Sequence, residues 1–323
     1  MLSGLLRKYQ SVDISKIRAG SFLKVQQEIE LAKISRIVAG SGWKNVVSCP
    51  LCGSEDRKSE LTKHGVEYVG CLNCSVRYSS KIPANPDDVY KSPNYLSYSK
   101  EDTEEHYNYR RERFGRERVA ILERYCGDLD KKYLLDVGCG NGFFLSAAME
   151  KCRHCYGTEF SDRLREFSMK KTGLTIFNKR LDELSRESFD IITLFDVIEH
   201  IPDPIPFMRS IDRILRPGGY LLIFTPNFDS FSIRVMQQYS SIVDPTEHVV
   251  LYSIPSLSFL SSSLGYEIVY HETQGLDIAN ILSFQQFMEE HQNAFLLQWN
   301  AELQAMINES GCGDYGRVMV RKP

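Results

Sequence analysis

Residues 133–143 read YLLDVGCGNGF, an apolar run that ends in Asp136 and is followed by glycine at every second position. Gly138, Gly140 and Gly142 lack side chains, so the chain can turn sharply after a strand and a ligand can approach the backbone closely. The dinucleotide fingerprint G-x-G-x-x-G is not satisfied, because Phe143 stands where its third glycine would be. The turn alone therefore leaves two interpretations, a cofactor site or a tight strand-to-helix connection.

The sequence after this turn alternates strand-like and helix-like segments. YLLDV, CYGTE, LTIFN, FDIITL and GYLLIFTP are short apolar runs, and GFFLSAAMEKC and SDRLREFSMKKTG between the early ones predict helices. Such alternation predicts βαβ units and an α/β fold with a mostly parallel sheet covered on both faces. GYEIVYHE and YGRVMVRK predict two further strands, with a helical insertion at about 278–309 between them.

Polar residues follow the predicted strands where each strand ends. Asp136 precedes the first glycine, and Glu159 ends the next strand, where an acid can accept hydrogen bonds from two ribose hydroxyls. The fourth strand runs into a dense polar cluster, FDVIEHIPDP. Open α/β sheets bind ligands at the carboxyl ends of their strands, so these residues predict a ligand site at that edge.

Composition places the chain among ordinary globular proteins. It has 323 residues, a net charge of −3 and a pI of about 6.2, which gives no electrostatic reason to expect nucleic acid or an anionic membrane as partner. No stretch approaches the roughly 20 apolar residues of a membrane span, and MLSGLLRKYQSVDISK lacks a secretory pattern. We therefore expect a cytoplasmic protein, whose nine cysteines favour metal ligation or burial over disulfides.

The sequence divides into four segments. Residues 1–45 predict a helical segment that packs on the core or, alternatively, binds a partner, and residues 46–80 are rich in cysteine. Residues 81–110 predict an irregular linker, and residues 111–323 the α/β domain, which begins with a helix at 111–126. The linker is rich in aromatic residues, which either pack or cover a ligand: Tyr90, Tyr95, Tyr98, Tyr107 and Tyr109.

Two C-x2-C pairs, Cys49/Cys52 and Cys71/Cys74, have the spacing of a four-cysteine zinc ribbon. Each pair presents two thiolates to one ion, and Gly53 suits the tight turn after the first pair. Four thiolates leave no open position for water or substrate, so we predict a structural zinc whose binding contributes to folding of this segment. Four buried free cysteines are the alternative.

In this order, LLDVGCGNGFFL, GTEFS, FDIITLFDVIEHIPDP and LRPGGYLLIFTPN resemble the class I S-adenosylmethionine-dependent methyltransferases. The branch that is most similar contains the ubiquinone-biosynthesis O-methyltransferases, and the match covers about 111–275. A zinc ribbon ahead of such a domain resembles, more loosely, methyltransferases of sugar and natural-product pathways. The resemblance implies a Rossmann-like seven-stranded sheet whose last strand is antiparallel.

The resemblance also implies where S-adenosylmethionine lies. It assigns the methionine part to Gly138, Cys139 and Gly140, the ribose to Glu159 and the amino group to Asp136. Four further residues would border the cofactor: Phe160 beside the adenine, Leu181 and Asp182 at its edge, and Phe195 along the cleft.

Methyl transfer requires an acceptor held in line with the methyl group, and a base only where the acceptor loses a proton. The catalytic candidates are Asp196, Glu199 and His200 after the fourth strand, and His248 in DPTEHVVLYS. In the ubiquinone-pathway relatives the corresponding acids and histidine are implicated in metal binding, but Asp196 stands where those enzymes usually carry Glu. For the residues after the fourth strand, two alternatives to a general base therefore remain: binding a divalent ion, or orienting the loop without proton transfer. For His248 the alternative is a structural role.

Three functions remain open at this stage. The first is a methyltransferase of a small biosynthetic intermediate, such as a sugar or nucleotide-linked sugar. The second is a methyltransferase of RNA or protein that docks through the ribbon, although the acidic total charge disfavours nucleic acid. The third is a cofactor-binding module without turnover. The N-terminal helix and residues 278–309 are where we would place a homodimer contact.

Overall fold

A seven-stranded mixed sheet forms the centre of the computed structural model, which describes residues 12–17, 22–85, 89 and 103–323. The strands in chain order are β1 (Trp43–Asn45), β2 (Arg57–Lys63), β3 (Val66–Cys71), β4 (Arg77–Ser79), β5 (Lys81–Pro83), β6 (Tyr133–Val137), β7 (His154–Thr158), β8 (Ile176–Phe177), β9 (Phe189–Phe195), β10 (Leu215–Pro226), β11 (Val250–Leu251), β12 (Glu267–Gln274) and β13 (Tyr315–Arg321). The α-helices are α1 (Phe22–Ala39), α2 (Glu104–Arg110), α3 (Arg116–Cys126), α4 (Phe143–Ala148), α5 (Asp162–Thr172), α6 (Pro204–Ile214), α7 (Phe231–Met236), α8 (Ile254–Ser263), α9 (Asp277–Phe287), α10 (Ala294–Gln298) and α11 (Asn300–Glu309).

The central sheet has the order β12-β13-β10-β9-β6-β7-β8. β13 is antiparallel to both of its neighbours, and the pairs from β10 to β8 are parallel. Leu134 and Leu135 of β6 point to opposite faces and are both fully buried, as expected of a strand covered by helices on both sides. The predicted α/β class, the Rossmann-like sheet and its antiparallel last strand are confirmed.

Local sequence sets the ends of the helices that follow the strands. Ser161 caps α5 by accepting a hydrogen bond from the Leu164 amide, and Gly173 ends the helix with a φ of 70°. Pro204 begins α6, where its missing N–H costs nothing. The predicted helix at 111–126 begins earlier, because α2 and a π-helical turn at Arg111–Gly115 lead into α3.

The cysteine-rich segment builds a second sheet, β11-β4-β3-β2, and its edge strand β11 comes from the α/β domain. Val250 pairs with Tyr78, and Leu251 pairs with Arg77. Tyr78 is buried in the same apolar cluster as Ile223 of β10. The segment is therefore continuous in packing with the α/β domain, which offsets the small core that it could form alone.

Helix α1 buries polar side chains as well as apolar ones. Leu23, Ile29 and Ile37 are buried, but Leu31 is 51% exposed. Polar side chains take its place on the buried face: Gln26, Glu30 and Lys33. Their partners lie far away in sequence, in the ribbon and in the α/β domain, so no local pattern shows them.

The aromatic-rich linker is described only in part. Tyr90, Tyr95 and Tyr98 lie outside the described residues. Tyr107 is buried, its ring packs edge-on against Phe167, and its hydroxyl donates to the Gly142 carbonyl at 3.5 Å, which supports the packing interpretation for this residue. Within the described ranges, no helix combines the length and apolar character that crossing a bilayer requires.

Candidate active site and metal centre

The three glycines after β6 meet different surroundings. All have a left-handed backbone, with φ of 67° at Gly138, 55° at Gly140 and 81° at Gly142. A side-chain Cβ would lie 2.8 Å from Val197 Cγ2 at Gly138 and would collide with Ser168 at Gly142, whereas at Gly140 it would meet nothing within 4 Å. Gly138 and Gly142 are thus required by packing, and Gly140 leaves open space beside the backbone.

Glu159, the residue after β7, binds the glycine turn directly. Its carboxylate accepts hydrogen bonds from the Gly140 amide at 3.0 Å and the Ser161 amide at 2.7 Å. Burial raises the pKa of Glu159, although these amide donors oppose the shift. The predicted ribose-binding acid is therefore tied to the backbone of the turn, and it does not line the cavity described below.

The residues predicted near the adenine lie beyond Glu159. Phe160 is 66% exposed, an unusual state for a phenyl ring. Leu181 is buried, and its carbonyl accepts from the Arg213 guanidinium at 2.6 Å, while the exposed Asp182 pairs with Arg180. None of these three lines the main cavity described next.

A cavity of about 470 Å³ joins the glycine turn to the polar end of β9. This volume lies in the range of small-molecule sites. The sequence-predicted residues that line it are Asp136, Gly138, Cys139, Gly140, Phe195, Asp196, Glu199, His200 and His248. Its opposite walls come from the N-terminal helices, from residues 274–280 and from the start of β13.

Asp136 is 2% exposed at the base of the cavity. Thr193 Oγ1 donates to its carboxylate at 2.6 Å. Burial raises the pKa of Asp136 to about 7, against the opposing effects of Thr193 and the nearby Arg118. A carboxylate in this state changes charge near neutral pH, and a cationic ligand would stabilise its ionised form.

Glu199, in the turn after β9, is fully buried. Thr225 Oγ1 donates to its Oε2 at 2.9 Å, whereas Oε1 has no hydrogen-bond partner among the described residues. Burial, with Asp196 nearby, raises the pKa of Glu199 well above its ordinary value. A buried carboxylate oxygen without a partner requires a proton, a water molecule or an ion.

His200 and His248 face each other, with ring centroids 4.9 Å apart. His200 Nδ1 lies 3.1 Å from the Glu247 carbonyl, and His248 Nδ1 lies 2.7 Å from the Ile242 carbonyl. Because a carbonyl only accepts, each Nδ1 carries the proton, and Nε2 of a neutral ring then bears the lone pair. Burial, together with His248, lowers the pKa of His200 to about 3, so this ring is neutral near pH 7.

One ligand atom from each of Glu199, His200 and His248 lies within 4.8 Å of the others. A carboxylate and two carbonyl-oriented imidazoles can accept a proton or coordinate a divalent ion. Asp196 is not a member of this group; it has a φ of 57° and lines the same cavity. Of the four catalytic candidates, the structure thus brings Glu199, His200 and His248 close together and places Asp196 beside them in the cavity.

Sequence reasoning missed Arg118 of α3. Its guanidinium carbon lies 4.0 Å from the ring centroid of Phe195, with Phe143 and Phe224 at 5.1 and 5.4 Å, and the residue lines the cavity. Nothing in RERFGRERVAILERYC distinguishes it from the other arginines of that helix. It adds a cation to the cofactor side of the cavity.

The four cysteines of the two C-x2-C pairs come together as predicted. Their sulfur atoms all lie within 4.8 Å of one another, with Cys49 and Cys74 at 3.5 Å and Cys52 and Cys71 also at 3.5 Å. Sulfurs that surround one zinc ion tetrahedrally at about 2.3 Å would be about 3.8 Å apart. Since this close set of thiols has the right donor chemistry and spacing, the site fits zinc.

The turns of the two pairs repeat one hydrogen-bond pattern. Cys49 and Cys71 each donate an amide to the carbonyl five residues later and accept from the amide four residues later. The residue at that fourth position is left-handed in both turns, Gly53 with φ of 77° and Ser75 with φ of 61°. The sequence indicated the first of these positions through its glycine and gave no sign of the second.

Comparison with known proteins found a matching sequence family and similar curated proteins. A sequence family described as "Methyltransferase domain" matches residues 107–271. The ubiquinone biosynthesis O-methyltransferase of Actinobacillus pleuropneumoniae is 27% identical over 145 residues, 41% of this chain and 59% of that protein. The protein of the same name from Idiomarina loihiensis is 30% identical over 122 residues, 34% of this chain and 49% of that one.

Solved structures also align with part of the chain. A SAM-dependent methyltransferase from Archaeoglobus fulgidus aligns with 64% of this chain and 94% of its own length, at 18% identity and a TM-score of 0.45. The chain spans only about half to three fifths of the two O-methyltransferases that it matches.

Proposed function

This chain belongs to the methyltransferase-domain family, and we propose that it is an S-adenosylmethionine-dependent methyltransferase of a small biosynthetic intermediate. One observation carries the proposal: a single cavity connects the open side of the glycine turn with Glu199, His200 and His248. A cofactor on the turn and an acceptor beside the histidines would then share one cavity.

The residues of the cofactor side fit S-adenosylmethionine. Gly138, Cys139 and Gly140 would border its methionine part, because Gly140 leaves space beside the backbone. Asp136 would bind the amino group and Arg118 the carboxylate, each facing the opposite charge. Glu159 would bind the ribose hydroxyls in place of its hydrogen bond with the Gly140 amide.

The rim of the site is suited to the adenine. The exposed ring of Phe160 would gain a partner, with Leu181 and Asp182 at the edge of the base. Phe195, pinned between Phe144 and Phe224 by edge-on contacts, would line the cleft as a rigid wall.

S-adenosylmethionine supplies a methyl group that its sulfonium already activates. The chain therefore has to hold an acceptor atom in line with that methyl group, which the cavity favours by restricting the orientation of both ligands. An acceptor hydroxyl must also lose its proton. His248 can take it at Nε2, because its Nδ1–H is already committed to a carbonyl, whereas the low pKa of His200 makes that ring a poor proton acceptor.

The same three side chains support an alternative role. Glu199, His200 and His248 offer one carboxylate and two imidazoles to a divalent ion, and the Oε1 atom of Glu199 lacks any other partner among the described residues. An ion bound there would polarise an acceptor oxygen and remove the need for a histidine base. Titration with Mn²⁺ or Co²⁺, followed by absorption or electron paramagnetic resonance, separates the two roles.

A structural zinc ion in the cysteine-rich segment is part of the proposal. The four thiolates would close the coordination sphere, so the ion would stabilise the fold and take no part in methyl transfer. Thiol interaction with Cys74 lowers the pKa of Cys49 to about 5, which favours one thiolate even before an ion binds.

A small acceptor is favoured over RNA by the state of the basic residues in the ribbon. Lys63 is 4% exposed and paired with Glu30, and Arg77 is paired with Glu60 and Asp229. Arg57 and Lys58 remain at the surface, which is little for a phosphate backbone. Gln274, Asn280 and Asp314 line the cavity, and their polar side chains suit a hydroxyl-rich acceptor such as a sugar.

The test uses methyl-labelled S-adenosylmethionine, purified protein and an extract of the source cell, followed by separation by size. Label in the small-molecule fraction, absent when a His248→Gln variant replaces the protein, supports the proposal and yields a product to identify. Label in RNA or protein would support the alternative of a macromolecular methyltransferase. Cofactor binding without transfer to either fraction would support a non-catalytic module.

A cytoplasmic location and a homodimer stay predictions.

A further inference from the structure

Residues 240–249, here called the His248 loop, take their hydrogen bonds from the N-terminal part of the chain. A buried carbonyl without a donor is costly, so the donors of a loop fix its conformation. Five loop carbonyls accept from α1 and the ribbon: Ser240 from Lys63 Nζ at 3.4 Å, Ser241 from Gln26 Nε2 at 3.0 Å, Val243 from Lys63 Nζ at 2.7 Å, His248 from the Tyr68 hydroxyl at 2.8 Å, and Val249 from the Ser79 amide at 2.9 Å.

Lys33 of α1 holds the loop through charge. It is 1% exposed, pairs with Glu247 and lies 3.6 Å from Asp244, and both acids are 4% exposed. Burial would lower the pKa of Lys33, but these two acids outweigh it and raise the pKa. The Glu247 carbonyl orients the His200 ring, and Glu247 directly precedes His248. The ion pair between Lys33 and Glu247 therefore holds the backbone next to both histidines.

Lys63 at the end of β2 ties the ribbon to the same loop. Besides Val243, it contacts Glu30 Oε2 at 2.8 Å, and His64 Nε2 lies 3.1 Å from that oxygen. The ammonium group thus joins α1, the ribbon and the His248 loop at one buried point. Removing one partner of a buried ion pair leaves an uncompensated charge and strongly destabilises the fold. The loop therefore has few conformations in which both lysines keep their partners.

We propose that Lys33 and Lys63 are positioning residues, which hold the His248 loop so that His248 stands opposite Glu199 and His200. The inference rests on the proposed function, because it gives the N-terminal helix and the ribbon a role on the acceptor side of a methyltransferase. Neither lysine contacts Gly138, Gly140 or Glu159 in the described structure. The cofactor side should therefore be independent of them.

The test compares Lys33→Met and Lys63→Met with Lys58→Met, an exposed ribbon lysine whose ion pair with Glu60 lies at the surface. Hydrogen exchange of residues 240–249 should be about tenfold faster in the first two variants and unchanged in the control. Exchange of residues 133–143 and affinity for S-adenosylmethionine should stay within about threefold of the unaltered protein.

A spectroscopic readout separates positioning from general stability. In protein labelled with ¹⁵N-histidine, the ring signals of His248 should show one tautomer, protonated at Nδ1, and should move towards a mixture in Lys63→Met. If the lysine variants do not fold, Tyr68→Phe replaces them: it removes a single hydroxyl and should shift the same signals. His248→Gln assigns them.

Unchanged His248 signals and loop exchange, with a uniform loss of stability, would overturn the proposal. Both readouts are made without cofactor or acceptor. Failure of the proposed methyltransferase function would therefore appear separately, as absent cofactor binding in the unaltered protein.

Discussion

Gly140 and Gly142 should respond in opposite ways to the same substitution. In Gly140→Ala the new methyl group meets nothing within 4 Å and extends into the space assigned to the cofactor. In Gly142→Ala it collides with the Ser168 hydroxyl and lies 3.0 Å from Ser168 Cβ. The first change should impair ligand binding, and the second should impair folding.

The magnitudes follow from the backbone and the packing. A left-handed φ costs an alanine roughly 1–2 kcal/mol at either position, and the reduced freedom of the unfolded chain offsets about 0.4–1 kcal/mol. Gly140→Ala should therefore lose about 1 kcal/mol of stability. Gly142→Ala adds an overpacking cost of about 1–3 kcal/mol, which brings the loss to about 2–4 kcal/mol.

Calorimetric titration with S-adenosylmethionine and denaturant unfolding measure the two effects. Gly140→Ala should weaken the cofactor at least about tenfold, or about 1.4 kcal/mol. Gly142→Ala, studied at a temperature where it is folded, should bind within about threefold of the unaltered protein. Loss of affinity in Gly142→Ala with normal affinity in Gly140→Ala would refute the assignment of the cofactor to the open side of the turn.

Three further predictions concern zinc, protonation and catalysis. The purified chain should contain about one zinc ion that Cys71→Ser loses together with stability, as metal analysis and unfolding would show; four rapidly titrating thiols in a metal-free protein would contradict this. Because burial raises the pKa of Asp136 to about 7, cofactor affinity should rise about tenfold from pH 6 to pH 8. In Asp136→Asn this pH dependence of affinity should vanish. Because the folded state holds the Asp136 proton more tightly than the unfolded state, the unaltered protein should lose stability relative to Asp136→Asn as pH rises through about 7. His200→Gln and His248→Gln should lower turnover by about 100-fold or more while cofactor affinity stays within about threefold; unchanged turnover would exclude a base.

The placement of the glycine turn beside Glu159 could be predicted because its signals are local. The glycine turn, Asp136 and Glu159 all lie at the ends of adjacent strands, and strand–turn–helix patterns place such residues along one edge. The cysteine pairs could be predicted for the same reason, since each turn is a short segment whose spacing alone states its chemistry.

The contacts between α1 and the His248 loop could not be predicted from the sequence, because the partners are distant. Lys33 and Glu247 are 214 positions apart, and apolar periodicity assigns a lysine to the solvent face of a helix. The close approach of His248, rather than Asp196, to Glu199 and His200 likewise depends on how the loop folds back before β11 pairs with β4. Local patterns carry no record of such contacts.

Equilibrium binding of S-adenosylmethionine to the unaltered protein, measured by isothermal titration calorimetry, tests the central claim most directly. We predict one site per chain, which S-adenosylhomocysteine occupies competitively. Absence of binding in a protein whose circular dichroism and zinc content show it to be folded would contradict the assignment of the glycine turn and, with it, the proposed methyltransferase.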